Sequence, residues 1–394
     1  MAKAGWIFML FLALQLLFCL SQNDYLDRTG WSSIDCGIND IRTDGMIIWD
    51  VDSDYTQTGS NKLVQKETSR DEFNTLRFFP NSTQENCYIV PAERQTIRYI
   101  IRAGFYYGNY DGLSSPPTFD LFINDLKWTT VNTSKNNGEP FYEEIMYENN
   151  GSGFFKICLK EIKDGGVPFI SLLEAVVLWN KMYSQMESNV TYNLVTRTNL
   201  GGEELRFDPL NFEEMYNRIW SKGAAPSNCT TSSGFIDVTA TYENYPPNLL
   251  LKDSVESNGS HPIILTVDLP QSNSQSAYFV FYITELVEKN SSESRSMKIE
   301  INGQDQGTVE APNNGETSVI TKYPVTVSGP SINITFTRSN ESSLPPMISG
   351  MEVFTKWDPN VNQNQNQPPP STAAGGHVSF AYTLMIPLVF LLVA

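Results

Sequence analysis

The sequence predicts an all-β protein made of two β-sandwiches in tandem, and three observations support this prediction. Short runs of alternating apolar and polar residues recur, as with Phe155, Ile157 and Leu159 in F-F-K-I-C-L-K, and such alternation indicates a strand with one buried face. Clusters of Gly, Pro and Asn separate these runs, which is typical of sandwiches and barrels. Helical periodicity is almost absent. The exception is E-E-M-Y-N-R-I-W from Glu213, which predicts a helical turn or an ordered connector.

Matched spacings predict that the same sandwich occurs twice. Ile170 follows Ile123 by 47 positions, and Ile348 follows Ile301 by the same 47 positions. The strings G-F-Y-Y and F-V-F-Y precede the two series by nearly equal gaps. Three strands in register indicate an internal repeat. We therefore expect a first sandwich at 31–180, an inter-domain connector at 181–220 and a second sandwich at 221–357.

The N-terminal residues 1–21 have the pattern of a secretory signal peptide. Lys3 precedes an apolar run from Ile7 to Leu20, and small residues follow before a polar chain begins. This combination of charge, short apolar region and small residues is typical of a cleaved leader. We expect cleavage after Ser21.

The stretch Arg102–Ile123 predicts an aromatic loop between two strands of the first sandwich. Three tyrosines lie around Gly-Asn and Asp-Gly pairs, which are typical of loops. A sheet that holds rings and polar groups on a loop is a common recognition surface. The alternative is that the rings pack the end of the sandwich. The predicted ligand-binding residues are Tyr106, Tyr107, Asn109, Tyr110, Asp111 and Trp128.

The second sandwich contains a predicted hairpin. M-K-I-E-I-N-G places Met297, Ile299 and Ile301 on one face and then turns at Asn302-Gly303. The G-N-Y-D-G loop of the first sandwich is replaced here by T-E-L-V-E-K. If aromatic recognition occurs, we expect the first sandwich to contribute more to it.

The C-terminus predicts a lipid anchor. Residues 358–377 form a linker rich in Asn, Gln and Pro that ends in small residues, and residues 378–394 form an apolar tail. Seventeen residues would span about 26 Å as a helix, less than a hydrocarbon core of about 30 Å. No Lys or Arg follows the tail. This pattern is typical of a GPI signal, in which the tail is removed; the alternative is a short C-terminal membrane helix. The candidate attachment sites are Ser371, Ala373, Ala374 and Gly375.

The cysteines and sequons fit a secreted protein. Removal of Cys19 with the leader leaves Cys36, Cys87, Cys158 and Cys229. Four cysteines allow three pairings, and the sequence does not choose between them. We expect two disulfides. Nine N-x-S/T sequons predict glycosylation of several asparagines. Asn333 lies between inward-facing Ile332 and Ile334, so it should point outward. The candidates are Asn81, Asn132, Asn150, Asn189, Asn228, Asn258, Asn290, Asn333 and Asn340.

Composition argues against several functional classes. The formal net charge is −17, which disfavours nucleic acid because phosphate binding needs clustered Lys and Arg. After tail removal, His261 is the one remaining histidine, and it lies in the loop-like string S-N-G-S-H-P, so nucleophile–His catalysis is disfavoured. The chain has no C-x-x-C pair and no D-x-D-x-D-G loop. We therefore expect no metal and no cofactor.

An ordered series of motifs resembles the plant malectin-like domain family over roughly residues 30 to 357. The motifs are S-I-D-C-G at Ser33–Gly37, Y-T-Q-T-G-S-N at Tyr55–Asn61, R-F-F-P at Arg77–Pro80, N-C-Y at Asn86–Tyr88, G-N-Y-D-G at Gly108–Gly112, P-F-I-S-L-L-E at Pro168–Glu174 and Y-N-R-I-W at Tyr216–Trp220. The resemblance implies two tandem malectin domains of a receptor-like kinase ectodomain. It also implies recognition of carbohydrate, by analogy with animal malectin, or of peptides and partner receptors. No leucine-rich repeats and no kinase motifs G-x-G-x-x-G or H-R-D are found, so signalling would need a partner.

These observations favour a non-catalytic recognition protein on the outer face of the plasma membrane, reached through the secretory pathway. It would bind a glycan or peptide and act with a receptor kinase as partner. Its attachment to the membrane would be the lipid anchor or the C-terminal helix. One alternative is a passive wall, adhesion or decoy protein. A glycoside hydrolase is a further alternative because the chain has 44 Asp and Glu, but no carboxylate pair stands at a recognisable spacing beside an aromatic subsite.

Overall fold

The computed structural model describes residues 30–81, 84–179, 182–207, 214–236 and 241–358. We call the described residues up to 179 the N-terminal half and those from 182 to 358 the C-terminal half. The strands of the N-terminal half are β1 (Trp31–Asp35), β2 (Arg42–Asp44), β3 (Ile47–Val51), β4 (Ser60–Leu63), β5 (Thr75–Phe78), β6 (Asn86–Pro91), β7 (Thr96–Phe105), β8 (Thr118–Ile123), β9 (Leu126–Asn132), β10 (Phe141–Asn150), β11 (Phe154–Glu161), β12 (Phe169–Ile170) and β13 (Leu172–Val177).

The strands of the C-terminal half are β14 (Tyr192–Leu200), β15 (Ser221–Gly223), β16 (Cys229–Ser233), β17 (Asp253–Ser257), β18 (Ile263–Asp268), β19 (Gln275–Thr284), β20 (Ser296–Ile301), β21 (Gln304–Glu310), β22 (Thr317–Val327), β23 (Ser331–Arg338), β24 (Met347–Ile348) and β25 (Gly350–Lys356). A short helix, α1 (Asn248–Lys252), precedes β17, and three 3-10 turns occupy Asp52–Asp54, Asp71–Phe73 and Lys135–Gly138. The fold is therefore mostly β, as the sequence predicts. Within the described chain, no helix is both long enough and apolar enough to cross a membrane.

The strand order of the N-terminal half recurs in the C-terminal half. The N-terminal half has a four-stranded sheet ordered β6-β11-β8-β9 and a three-stranded sheet ordered β12-β5-β4. The C-terminal half has the corresponding sheets β18-β23-β20-β21 and β16-β17-β24. Ile123 and Ile301 end equivalent strands, as do Ile170 and Ile348, so the 47-residue spacing reflects an equivalence in topology.

One large sheet joins the two halves. Its strand order is β2-β3-β1-β13-β7-β10-β14-β25-β19-β22, and β15 pairs with β14 outside this path. The halves meet at the antiparallel neighbours β10 and β14, whose register contains two residue pairs, Ile145 with Asn193 and Met146 with Tyr192. The range 181–220 was assigned to a connector from the sequence, but it contains β14, which is a full member of this sheet.

Each half buries its own apolar core. In the N-terminal half, Phe155, Ile157 and Leu159 face inward as their alternation predicts, with exposed fractions of 2% or less. The cluster around them includes residues from the small sheets and from the large sheet of that half. The second cluster lies mainly in the C-terminal half, around β19 and β25, and also includes four residues of the N-terminal half, Ile100, Met146, Val176 and Leu178. Burial of these faces favours folding in proportion to the apolar area removed from water.

The predicted hairpin forms between β20 and β21. Ile301 pairs with Gln304, and the turn residues Asn302 and Gly303 both have positive φ, at 51° and 75°. Two residues with positive φ are the geometry that a tight hairpin turn requires, and Asn-Gly is the sequence that adopts it most readily.

The predicted helical turn after Glu213 is an ordered connector in its described part. Glu214–Trp220 contains turns and no helix. Glu214, Arg218 and Trp220 are all at most 1% exposed. The Arg218 guanidinium pairs with the Glu214 carboxylate at 3.0 Å, and the Trp220 indole N–H donates to the same carboxylate at 2.6 Å. These contacts fix the shape of the connector, and the Arg102 guanidinium on β7 donates to the Asn217 carbonyl at 2.7 Å, which holds the connector against the large sheet.

Candidate ligand-binding cleft

The predicted tyrosine loop does form between β7 and β8, but its rings are not presented to solvent. The exposed fractions are 4% for Tyr106, 7% for Tyr107, 3% for Tyr110 and 2% for Trp128. The expectation that these four rings form a stacking surface is therefore wrong for this structure. They belong to the apolar core of the N-terminal half.

Local geometry explains why the tyrosine rings fold inward. Gly108 and Asn109 have positive φ, 47° and 55°, which turns the chain back toward the sheet. A Cβ at Gly108 would lie 2.5 Å from Val64, so the loop backbone is packed closely against its neighbour. The ring of Tyr110 then lies 5.4 Å from Phe169 and 5.6 Å from Phe78, as in a core of edge-packed rings.

The polar candidates of this loop maintain its shape. The Asn109 side chain donates to the Gln65 amide oxygen at 2.9 Å and accepts from the Ser114 backbone N–H at 2.9 Å. Asp111, which is exposed, accepts the Leu113 backbone N–H at 3.0 Å and the Tyr107 hydroxyl. A role of Asn109 and Asp111 in ligand binding stays a prediction, but the tyrosine rings that were expected to act beside them are buried.

A row of buried charges crosses the large sheet on the strands where the halves meet. The Arg102 guanidinium on β7 contacts Glu174 on β13 and Glu144 on β10, each at 2.7 Å. The Arg197 guanidinium on β14 contacts Glu144 at 2.9 Å and Glu352 on β25 at 2.6 Å. All five side chains are at most 5% exposed. The Glu144 carboxylate thus bridges the N-terminal and C-terminal halves.

Neighbouring groups satisfy the carboxylates of this row. The Asn217 amide donates to Glu174 at 2.6 Å, and the hydroxyls of Tyr183 and Tyr282 donate to Glu352 at 2.8 Å each. Burial raises the pKa of Glu144, but the guanidiniums of Arg197 and Arg102 outweigh it and hold that pKa below its ordinary value. The carboxylate is therefore ionised at neutral pH, and its loss would leave Arg102 with Glu174 alone and Arg197 with Glu352 alone.

Beside this row the large sheet opens into a cleft. Beyond the two pairs that join β10 to β14, the segments Phe141–Glu144 and Leu194–Arg197 diverge, and a cavity of about 390 Å³ lies between them. Arg70, Glu204, Arg206, Ile219 and Ser221 also line it. A cavity of this size matches the lower range of known ligand sites. The seam between the halves is therefore the candidate site.

A second cavity, of about 180 Å³, adjoins the first. The two share Arg102, Tyr142, Arg206 and Ile219 in their linings. The Arg206 guanidinium donates to the Tyr142 hydroxyl at 3.1 Å. Burial raises the pKa of Tyr142 to about 12, so its hydroxyl stays protonated at neutral pH. The two cavities together form what we call the seam cleft.

Two arginines of the seam cleft have unused donors. Arg197 is completely buried, and its Nη2 has no hydrogen-bond partner among the described residues. Nη2 of Arg206 is also buried and unpartnered within the same described set. A buried donor without a partner costs free energy, typically about 1–3 kcal/mol. Both donors are closed to solvent in this structure, so a ligand acceptor such as a carboxylate reaches them only if the cleft widens.

The carboxylates of the cleft are paired with cations, which favours binding over acid–base chemistry. Glu204 contacts Arg70 at 3.0 Å and Arg206 at 2.8 Å, and Glu143 contacts Lys135 at 3.1 Å. Burial raises the pKa of Glu143, and Lys135 opposes that rise. His261 is exposed and does not line the described cavities.

The cysteine prediction is correct for one pair. Cys87 on β6 and Cys158 on β11 face each other in the register of the two strands and form a disulfide. Cys36 and Cys229 are both free. The expected second disulfide is wrong because Cys36 is buried in the N-terminal core, whereas Cys229 packs beside the C-terminal core. Glu85 lies beside the Cys87 and Cys158 sulfurs, but the disulfide uses both thiols.

The structure describes the sequon asparagines, whereas the predicted membrane signals lie outside the described residues. All nine sequon asparagines are exposed, Asn333 among them as its alternation predicts. Exposure is what a glycan needs, and glycosylation itself stays a prediction. The signal peptide, the hydrophobic tail and the anchor candidates Ser371, Ala373, Ala374 and Gly375 lie outside the described residues.

Sequence reasoning missed the arginines of the seam. Arg102 occurs in the apolar run I-I-R-A-G, and Arg197 occurs in L-V-T-R-T-N-L. A single Arg inside an apolar strand was a usable signal, since such a residue is rarely buried unless it is paired. The glutamates that pair with these two arginines are 42 to 155 positions away in the sequence, so the pairing could be recognised only in the folded structure.

A comparison with models of protein families identifies the family of this chain. The model described as the malectin-like domain matches residues 34–356. The chain belongs to the malectin-like domain family. Two probable leucine-rich-repeat receptor-like serine/threonine-protein kinases of Arabidopsis thaliana are 29% and 30% identical to this malectin-like chain, over 91% and 83% of its length. The chain spans about two fifths of those relatives, 42% and 38% respectively.

Solved structures share the malectin-like fold. The ANX2 ectodomain of Arabidopsis thaliana matches 83% of this chain and 97% of its own, with a TM-score of 0.70 and 14% identity. The ANX1 ectodomain matches 84% of this chain and 97% of its own, with a TM-score of 0.68 and 16% identity. A structure of the plant peptide RALF23 in complex with FER and LLG2 matches 84% of this chain and 96% of its own, with a TM-score of 0.67 and 14% identity.

Proposed function

We propose that this malectin-like chain is a non-catalytic extracellular recognition protein that binds its ligand at the seam cleft. The observation that supports this most directly is the open seam itself, where two strand segments that do not pair with each other line one cavity. Two arginines there each hold a donor without a hydrogen-bond partner among the described residues. The carboxylates there are paired with Lys or Arg, which suits binding and does not suit proton transfer.

The pattern of sequons is consistent with a ligand site at this place. None of the nine sequon asparagines lines the described cavities. Glycans at those asparagines would be bulky and would shield the surfaces around them. The seam cleft would then remain accessible on a glycosylated protein.

We favour a peptide ligand over carbohydrate, with a receptor kinase as partner. A fold neighbour binds the peptide RALF23 together with LLG2, and the curated relatives are receptor-like kinases. Carbohydrate recognition through stacking has lost its support, because the proposed rings are buried. A co-receptor role would place this chain beside such a kinase at the cell surface.

The domain organisation and the membrane attachment belong to the same proposal. The repeated strand order and the two cores support two tandem malectin-like domains. The signal peptide and the GPI signal predicted from the sequence would bring the chain to the outer face of the plasma membrane. Release by phosphatidylinositol-specific phospholipase C is expected, and retention after treatment would favour the C-terminal membrane helix.

The test of the recognition role is affinity purification of the tagged full chain from plant plasma membranes, followed by mass spectrometry. We expect a receptor-like kinase to be enriched with the native chain and reduced with Arg206→Gln. The matched control is Arg338→Gln, which changes an exposed arginine at the end of β23. Absence of any kinase would contradict the co-receptor role and favour the adhesion or decoy alternative.

A further inference from the structure

The large sheet contains a gap with defined ends. On the side of β14 that faces β10, Tyr192 and Asn193 pair with β10, and Thr198–Leu200 pairs with β15. Between these partners, Leu194, Thr196 and Arg197 pair with β25 on the other side, and the register shifts between Leu194 and Thr196, which leaves Val195 in a bulge. The opposite wall is Phe141–Glu144, which pairs with β7 and not with β14.

The length of this gap corresponds to a short peptide. Leu194–Arg197 has four residues including the bulged Val195, so it spans less than the roughly 13 Å that four residues of a regular strand cover at about 3.3 Å each. Strand edges present unpaired N–H and C=O groups, and an extended chain can satisfy them by adding a strand. The residues Leu194, Val195 and Thr196 are only partly buried. A strand of four to six residues is therefore the geometric complement of the gap.

Charge defines the chemistry of the occupant. Buried Arg197 and the adjacent Arg206 each have an Nη2 without a partner among the described residues. The two cavities are lined by four arginines and six carboxylates, and most of those carboxylates are already paired with Lys or Arg, so the unpartnered donors and not the net charge of the lining favour an acceptor. Guanidinium groups form their strongest hydrogen bonds with carboxylates. An anionic group on the ligand would satisfy both donors.

From these observations we propose that the gap between β10 and β14 binds an extended peptide segment by strand addition, with a peptide carboxylate held by Arg206 and Arg197. This inference rests on the proposed recognition function and specifies its ligand class. The backbone of the peptide pairs with the edge of Leu194–Arg197 that faces the gap. Its carboxylate, from a C-terminus or an acidic side chain, lies over the buried Glu144–Arg197 pair.

The first experiment separates the carboxylate from the backbone. The probes are N-acetylated hexapeptides of alternating β-branched and polar residues, each made as the C-terminal acid and as the amide. Binding to the full chain is measured by fluorescence polarisation. We expect the acids to bind about tenfold or more tightly than the amides, because a charge-assisted hydrogen bond is lost in the amide. Arg206→Gln should remove this preference, and Arg338→Gln should keep it.

The second experiment tests strand addition. Single N-methylation is moved along the best acid peptide, one residue at a time. Residues in a strand alternate between the two edges, so methylation should weaken binding at every second position and have little effect between them. A uniform effect at all positions, or none at any, would overturn strand addition. Circular dichroism of the Arg206→Gln and Arg338→Gln proteins confirms that each is folded.

The remaining outcomes are also decisive. Binding of uronic-acid oligosaccharides at the cleft without binding of any peptide would overturn the peptide assignment. Equal affinity of acids and amides, or an unchanged preference in Arg206→Gln, would overturn the carboxylate assignment. Failure of every peptide to bind would overturn the inference as a whole. The recognition function would still be judged separately, by co-purification of a receptor kinase with the native chain.

Discussion

At the scale of single residues, the buried ion pairs at the seam determine how the halves are held together. Glu144 contacts Arg102 of its own half and Arg197 of the other half. A buried ion pair gives little net stability compared with well-packed apolar groups, but removal of one partner leaves an uncompensated charge. The seam should therefore be sensitive to the loss of any one charge.

Glu144→Gln tests this sensitivity. We expect the free energy of unfolding to fall by about 1.5–3 kcal/mol, because two buried guanidiniums lose charge-assisted hydrogen bonds while Glu174 and Glu352 still compensate their charges. Urea denaturation measures the change. Glu203→Gln is the matched control, since Glu203 is 79% exposed in its contact with Lys222. Equal effects of the two substitutions would contradict the role given to Glu144.

Asp35 predicts a specific pH dependence of stability. Burial raises the pKa of its carboxyl to about 6, although Arg42 and Thr75 oppose the rise. The native state then binds the proton more tightly than the unfolded state, so the free energy of unfolding decreases as pH rises from about 4 to about 6. The total change is about 3 kcal/mol.

Asp35→Asn should remove this contribution. The difference in the free energy of unfolding between wild type and Asp35→Asn should change between about pH 4 and about pH 6 and stay constant above that window. Urea titrations at pH 4, 5, 6 and 7 measure the difference. Asp40→Asn, at an exposed position, should give curves parallel to the wild type. Parallel curves for Asp35→Asn as well would contradict the raised pKa.

At the scale of elements, the sequence predicted strands better than it predicted their contacts. Alternation identified the buried faces of β11 and β20, and Asn302-Gly303 identified the hairpin, because these signals are local. The tyrosine loop was located correctly, but the direction of its rings depends on positive φ at Gly108 and on the shape of the neighbouring strand. The sequence therefore indicated a loop between strands without showing which way its side chains face.

The seam cleft could not be predicted from local pattern. It depends on β10 and β14, which are adjacent in the sheet but separated in the sequence by 42 positions, from Asn150 at the end of β10 to Tyr192 at the start of β14. The range 181–220 was interpreted as a connector, which hid the strand that forms one wall. The site is a consequence of tertiary pairing, so only the fold could reveal it.

The disulfide between β6 and β11 gives a prediction at the same scale. Cys87 and Cys158 are 71 positions apart, so their link removes about 4 kcal/mol of unfolded-state entropy by loop closure. Replacement of both by Ala should lower the free energy of unfolding by an amount of this order. Cys229→Ser, at a free and partly exposed thiol, is the control. Equal stability of the two variants would contradict a structural role for the disulfide.

At the scale of the whole molecule, the continuous sheet predicts cooperative unfolding. The buried charges and the β10–β14 pairing connect the two cores directly. We expect scanning calorimetry to show one transition whose calorimetric and van't Hoff enthalpies agree, as in a two-state process. Two resolved transitions would show that the halves unfold independently and would contradict strong coupling at the seam.

The central claim is that this malectin-like chain recognises its ligand at the seam and not at the tyrosine loop. Amide hydrogen exchange of the full chain, with and without the tightest-binding acid-terminated hexapeptide, tests this most directly. The account predicts slowed exchange in Leu194–Arg197 on binding. Protection of Tyr106–Gly112 instead, or unchanged exchange in Leu194–Arg197, would contradict it.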